Sequence, residues 1–281
     1  MPATPNVIPS VDLALRAAGN IVGLATGGTL TANRANDEAH HDLSANWMVR
    51  TSGVSSWSVS ADGLLDTAGG DIVTGHAPGA VLRVGIGGDD VKGLTEAGVS
   101  LSLNVAEVVN AFTGMTRTLD PAARSCEVSL SFDYYDPAAA GSAAFAAVLD
   151  YLLGVTDDPL AVTLEVAGLS LAFDAVPTTS ALTKSAGEVL KAGVTLAAAG
   201  PVTNNSAGLG AGVAGLLAAF FGADRSAALG VLVGTGVADN TEFEGDAFPS
   251  SIGITVPYAG QATTSVTLEG TGPLVRRATA A

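Results

Sequence analysis

Cysteine occurs once in the 281 residues, at Cys126, which excludes an internal disulfide framework. Aromatic residues make up only 5%, so the core has to be built from small and β-branched side chains, the kind that pack on pleated surfaces. Positive charge is scarce: 12 Lys and Arg stand against 27 Asp and Glu, a formal charge of -15. Such a surface repels phosphate backbones and anionic membranes, and it excludes tight nucleic-acid binding. Long apolar runs are missing too. The longest uncharged one, Ala207 to Ala223, has 17 residues, short of the roughly 20 a membrane span needs, so it reads as a buried helix despite the GxxxG spacing of Gly208 and Gly212. The opening "MPATPNVIPSVDLALRAAG" lacks a basic segment followed by an apolar one, and the expectation is an intracellular, non-secreted chain in which the Asn-x-Ser at Asn204 stays unglycosylated.

What is present is ample apolar content, 48% of the chain, enough for one large or two modest domains. Several segments alternate with period two, most clearly "EVSLSFDYYD", where Val128, Leu130 and Phe132 face one way and Glu127, Ser129, Ser131 and Asp133 the other. "VSSWSVSAD", "VLRVGI", "LAVTLEV", "LSLAFD", "ALGVLVG" and "SVTLEG" follow the same rule. Two helices interrupt them. One is "DPAAAGSAAFAAVLDYLLG", with Asp136 as N-cap and Pro137 in the first turn; the other is the Ala207 to Ala223 run.

The chain also repeats itself. "AVPTTSALT" to "VTLAAAGPV" (Ala175 to Val202) aligns without a gap on "AFPSSIGIT" to "VTLEGTGPL", 72 positions later, with eight identities in 28. A fainter echo joins "WSVSAD" (Trp57 to Asp62) to "VSLSFD" (Val128 to Asp133). The fold class that follows is mainly β: two similar β-sandwich or barrel domains, each flanked by an α-helix. If both echoes hold, the order is first half, first half, second half, second half, and one domain is inserted in the other. The expected boundaries are then 10-97 plus 204-276 for the outer, discontinuous copy and 98-203 for the inner one, with terminal arms at 1-9 and 277-281. A tandem order, with the strand in "GAVLRVGIGGDDVKG" standing in for a missing partner, is the other arrangement the sequence allows.

No set of residues makes a catalytic constellation. "GAGVAG" (Gly210 to Gly215) has the spacing of a pyrophosphate-binding loop but no strand immediately before it, and close helix packing explains its glycines as well. "NDEAHHD" gathers Asp37, Glu38, His40, His41 and Asp42, yet neighbouring histidines point apart and His76 is the one other histidine. Asp89 and Asp90 read as a turn, and Cys126 as a small strand residue that lacks a histidine base in sequence. The expectation is a protein that is not an enzyme and holds no cofactor and no metal.

Taken together, the Ser-Trp-Ser strand "SSWSVSADGLLD", a flanking helix, the "DAFPSSIGITVP" turn and the closing "TSVTLEGTGPL" resemble the tail tube, or major tail, proteins of long-tailed bacterial and archaeal viruses. The resemblance implies a virion structural protein of siphovirus tails, made in the host cytoplasm. Family members form hexameric rings, or trimeric rings with pseudo-sixfold symmetry when two copies of the domain are fused. The repeat implies the second type, stacked into a tube with other tail proteins at its ends and genomic DNA passing through the lumen during ejection. Another β-rich phage assembly protein (head-completion, decoration or contractile-system tube) is the alternative, and a nucleotide- or metal-dependent enzyme a further one. The polar faces of the strands supply the expected lumen-lining residues: Glu165 and Glu269, which the repeat puts at matching places, and Asp62 and Glu127. The competing reading is that these acids solvate the outer wall. The segment before Ser10 and a polar loop from Thr31 to Arg50 are expected to reach adjacent rings.

Overall fold

A computed structural model describes residues 14–17, 19–22, 24–39, 49–74, 82–108, 116–133, 143–166, 168–222, 228–234 and 241–278. In chain order its elements are β1 (Ala14–Ala17), β2 (Asn20–Ile21), β3 (Leu24–Ala39), β4 (Val49–Leu64), β5 (Leu82–Ile86), β6 (Asp89–Asp90), β7 (Leu94–Val108), β8 (Thr118–Asp133), α1 (Ala143–Leu152), β9 (Leu160–Val166), β10 (Leu169–Thr183), β11 (Lys191–Ala198), β12 (Thr203–Asn204), α2 (Ala211–Phe221), β13 (Leu229–Gly234), β14 (Thr241–Pro257) and β15 (Thr263–Ala278). The chain is mainly β, one large antiparallel sheet with two helices on it, as the period-two segments lead one to expect.

Alternation decides which face each strand buries. In β8, Cys126, Val128, Leu130 and Phe132 are buried while Glu127, Ser129 and Ser131 are exposed; in β9, Val162, Leu164 and Val166 alternate with Thr163 and Glu165 in the same way. Each such Val or Leu contributes about 1.5–3 kcal/mol by leaving water. Helix α1 lays Ala144, Phe145 and Val148 on β10, β5 and β6, with Phe145 edge-on to Phe132 at 5.5 Å between ring centres. Helix α2 lays Val213, Leu216, Leu217 and Phe220 on β14, β1 and β2. It is 11 residues long, and no helix among the described residues is long and apolar enough to cross a membrane.

The strands fall into two runs with one order. The first is β3, β4, β15, β14, β13, β1, β2; the second is β7, β8, β11, β10, β9, β5, β6. In sequence the whole second run, β5 to β11, lies between β4 and β13 of the first. The runs join where Ser251 to Pro257 of β14 pair with Ser102 to Glu96 of β7.

Register repeats between the runs down to the irregularities. The β3–β4 ladder bulges between Ala25 and Gly27, and the β7–β8 ladder between Leu94 and Glu96. In the first bulge the Thr26 hydroxyl donates to the Asp62 carbonyl at 3.2 Å; in the second the Thr95 hydroxyl donates to the Ser131 carbonyl at 2.9 Å. Further bulges follow between Arg34 and Asn36 and between Leu103 and Val105. The β1–β2 hairpin closes on Ala17 and Asn20 and the β5–β6 hairpin on Ile86 and Asp89, with Gly19 and Gly88 in the left-handed region at φ 81° and 92°, where only glycine sits without strain. Every second feature lies 69 positions after the first. Beyond the helices the spacing becomes 72: β10 bulges between Pro177 and Thr179, β14 between Pro249 and Ser251, and the Thr178 and Ser250 hydroxyls donate to the Thr195 and Thr267 carbonyls at 3.2 and 3.1 Å.

Two expectations need correcting. The echo between β4 and β8 is displaced by two residues: Val59 faces Leu268 as Val128 faces Leu196, so Val59 rather than Trp57 is the counterpart of Val128. Both registers keep the same face buried, which is why the sequence could not tell them apart. The polar stretch from Thr31 to Arg50 is not one long loop, because β3 runs on to Ala39 and β4 begins at Val49. Thr31, Ala32, Asn33 and Arg34 are exposed, and an arm with no core beneath it needs backbone pairing but no apolar alternation. Residues 40–48 and the N-terminal segment through residue 13 lie outside the described residues, as do Asp136 and Pro137.

Candidate functional site

The apolar face of the joined runs is the core; the opposite face is a continuous field of small polar residues. Strand pairing sets Asp62, Ser265, Gly253, Ser100 and Glu127 in one row across β4, β15, β14, β7 and β8. The next row reads Ser60, Thr267, Ser251, Ser102 and Ser125, with the Ser125 hydroxyl donating to that of Ser102 at 3.3 Å. On the other side of the first row lie Thr263, Thr255, Gly98, Ser129 and Thr195. Short side chains on neighbouring pleats leave this surface smooth, and Gly98 and Gly253 stay flat because a methyl on either would run into Ser129 or Ser265. Its charges are mostly carboxylates: Asp62 and Glu127 are exposed, and so is Glu96, which faces Pro257 and Ser131, while the exposed Lys191 faces Asp133 at the margin of the same face.

The structure separates the four acids singled out in the sequence. Asp62 and Glu127 share the first row. Glu269 faces Ser58 and is half-buried, its carboxylate 3.4 Å from the Arg117 guanidinium, which also lies 3.5 Å from Glu107. Arg117 belongs to the joint between the runs: its N–H donates to the Ser55 carbonyl at 2.9 Å, its carbonyl accepts from Gly272 at 2.8 Å, and the Trp57 indole donates to the Gly272 carbonyl at 3.2 Å. Sequence offered no sign of this cation, because Arg117 comes from a segment far from β15 in the chain. Glu165 stands elsewhere, on β9 opposite Arg83 of β5. The Arg83 guanidinium is held above its ordinary pKa chiefly by the hydrogen bonds it donates to Asp90 at 2.8 and 3.2 Å, with Glu165 adding to the effect, and Asp90 is correspondingly held below its own.

Glu165 and Glu269 therefore do not occupy matching places. By register the counterpart of Glu165 is Gly234 and that of Glu269 is Ala197. Neither sequence match covers β9, so nothing in the sequence fixes the counterpart of Glu165. One match does appear, in cross-strand form: Ser58 faces Glu269 in the first run, and Glu127 faces Ala197 in the second, so each run has one carboxylate in this pair, carried on opposite strands.

The remaining motifs resolve into packing or lie out of view. A methyl at Gly212 would strike the backbone of Ile21 and Val22, and one at Gly210 the Asp66 carboxylate, so "GAGVAG" lets α2 ride on the β1–β2 hairpin. Before α2 stands only the two-residue β12, paired with β10, which is not the strand-turn-helix a pyrophosphate loop uses. Cys126 is buried, and burial pushes its thiol up to about 12. His40, His41 and His76 lie outside the described residues; among those described, no group of three or more His, Cys, Asp and Glu side chains is placed to hold a metal.

Fold and face define a β-rich chain whose outward features are strand edges and a smooth, carboxylate-bearing polar surface. Among solved structures it is similar to a chain of the virion of a native gene transfer agent particle, with 12% identity, a TM-score of 0.34, and 41% of this chain and 97% of that one covered. It is also similar to a chain of the tail of an empty gene transfer agent particle, determined with helical refinement and C6 symmetry, at 15% identity, a TM-score of 0.36, and 42% and 86% coverage. No family profile matches the chain, and no curated protein does.

Proposed function

We propose that the chain is the structural subunit of a viral tail tube. Three copies, each contributing two similar β-domains, close a ring of pseudo-sixfold symmetry; rings stack into a tube, and DNA moves through it without being held. The observation that carries this reading is the double recurrence of register, bulges and bulge-hydroxyl bonds at spacings of 69 and 72. Backbone irregularities of that kind bend and re-aim a strand, so two sets at constant spacing are best read as one domain present twice. The copies are nested, an inner one from 82 to 207 and an outer one from 14 to 74 and 208 to 278, since β12 pairs with β10 as the end of β15 pairs with β14. This inner copy begins earlier than the boundary at 98 expected from the sequence, because β5 and the first residues of β7 pair with β9 and β8.

The Ser/Thr/Gly face with Asp62, Glu127 and Glu96 is the lumen wall. Duplex DNA carries about one charge per 1.7 Å, and a wall of short hydroxyl side chains dotted with carboxylates gives it little to grip, the one lysine at its margin, Lys191, facing Asp133. Glu269, next to Arg117, contributes less, and Glu165 lies off these rows. Mass photometry and negative-stain images of the purified protein test the ring: three chains per ring, stacked end to end, are expected. Six chains per ring, or a monomer at every concentration, would overturn it.

A further inference from the structure

Inside the chain, one edge of the outer copy is closed by the inner copy. The second half of β14 pairs with β7, which buries Ile254 against Val99 and Ile252 against Leu101. The register counterparts of these two edges are the second half of β10, from Thr179, and β3 from Gly27 to Asn33. Among the described residues, no strand pairs with β10 beyond Thr179 on the side away from β11, and none with β3 on the side away from β4. Leu182, the counterpart of Ile254, is 52% exposed where Ile254 is 1% exposed.

A second contact follows the same pattern. At the end of α2 the inner copy covers Phe220, with the Arg124 guanidinium 5.9 Å from its ring centre and donating to the Gly222 carbonyl at 2.9 Å. Among the described residues the end of α1 has no such cover: Leu152, Leu153 and Val155 are all exposed. What the internal joint hides in one copy, the other copy leaves open.

We infer that a second copy of this chain covers these groups by repeating the internal joint: β10 of one molecule pairs antiparallel with β3 of the next. The register is the internal one, Ser180 opposite Ala32, Ala181 opposite Thr31, Leu182 opposite Leu30 and Thr183 opposite Thr29. Each molecule has one edge of each kind, so the contact is head-to-tail and either closes into a ring or runs on as a filament. Lys184 stands where the internal joint has Val256, and a lysine beside an open edge discourages pairing in other registers. The inference rests on the tube reading but fixes residues that the reading leaves open.

Cysteine pairs test it. Leu30→Cys with Leu182→Cys, and Thr31→Cys with Ala181→Cys, are neighbouring cross-strand pairs, of which one is hydrogen-bonded and the other not, so one of the two has its side chains close. The buried Cys126 thiol does not compete. After oxidation of assembled protein, the double variants should run as covalent dimers and trimers, a mixture of the two single variants as dimers, and each single variant as monomer. In parallel, amides of residues 27–33 and 179–183 in the unmodified protein should gain hydrogen-exchange protection on assembly. Rings that form without cross-links and without that protection would overturn this pairing and leave the tube reading intact. A protein that never assembles would overturn both.

Discussion

On the proposed tube reading, replacing Asp62 and Glu127 together with lysine should make the lumen hold DNA that the unmodified wall lets pass. The two residues sit in one row, four strand spacings apart, or about 19 Å at 4.7–4.9 Å per strand. That exceeds the screening length of about 8 Å at physiological salt, so the substitutions act independently. Both side chains are exposed on strands, and surface changes of this kind stay within about 0.5 kcal/mol of wild-type stability; rings should assemble normally. Three chains would present six new ammonium groups per ring, and each phosphate neutralised steepens the dependence of log binding on log salt by about 0.9. The slope per engaged ring then reaches about -5, so raising salt fourfold should weaken retention by about a thousandfold. Labelled duplex DNA sedimenting with tubes at several salt concentrations is the assay. The control is Asp71→Lys with Glu188→Lys, which makes the same change in net charge at exposed positions off these rows. If tubes form and the Asp62/Glu127 variant retains no more DNA than the control, that face does not line the channel.

Other consequences follow from packing and burial. Gly270→Ala drives a methyl into the Trp57 indole, which Gly245 confines on another side; urea unfolding should give a loss of about 1–3 kcal/mol, and an unchanged midpoint would mean the indole can move. Thr26→Val and Thr95→Val each remove a hydroxyl-to-carbonyl bond at matching bulges, so their costs, about 1 kcal/mol each, should be alike and additive in chemical denaturation. Unequal costs would count against equivalence of the two copies. The Cys126 thiol, raised by burial from an ordinary value of 9.0 to about 12, should resist thiol reagents at pH 8 in the native state. Because the folded chain keeps this proton longer than the unfolded one, its contribution to stability is complete below about pH 9 and is lost as pH rises toward 12. Rapid labelling of the folded protein would show that the strand opens.

The sequence by itself determined which segments become strands and which way they face. Period two in β8 and β9 names the buried residues without any reference to their partners, and the length of the Ala207 to Ala223 run already limits it to a short buried helix. The 72-residue echo was legible because β10, β11, β14 and β15 still share Pro, Val-Thr-Leu and Gly-Pro at matching places. The 69-residue spacing was not legible, and the echo showed only two residues out of register, at 71, since bulges and hairpin geometry are carried by backbone hydrogen bonds that many side chains satisfy. Tertiary structure alone decided that β15 returns to β4 across the whole inner run, that Arg117 comes to rest beside Glu269, and that Asp62 and Glu127 share a row while Glu165 does not. The reason is physical: a side-chain pattern fixes the face of a strand, whereas the backbone ladder that selects its neighbour is nearly the same for every sequence, so partner and register are settled only when the whole sheet closes over one core.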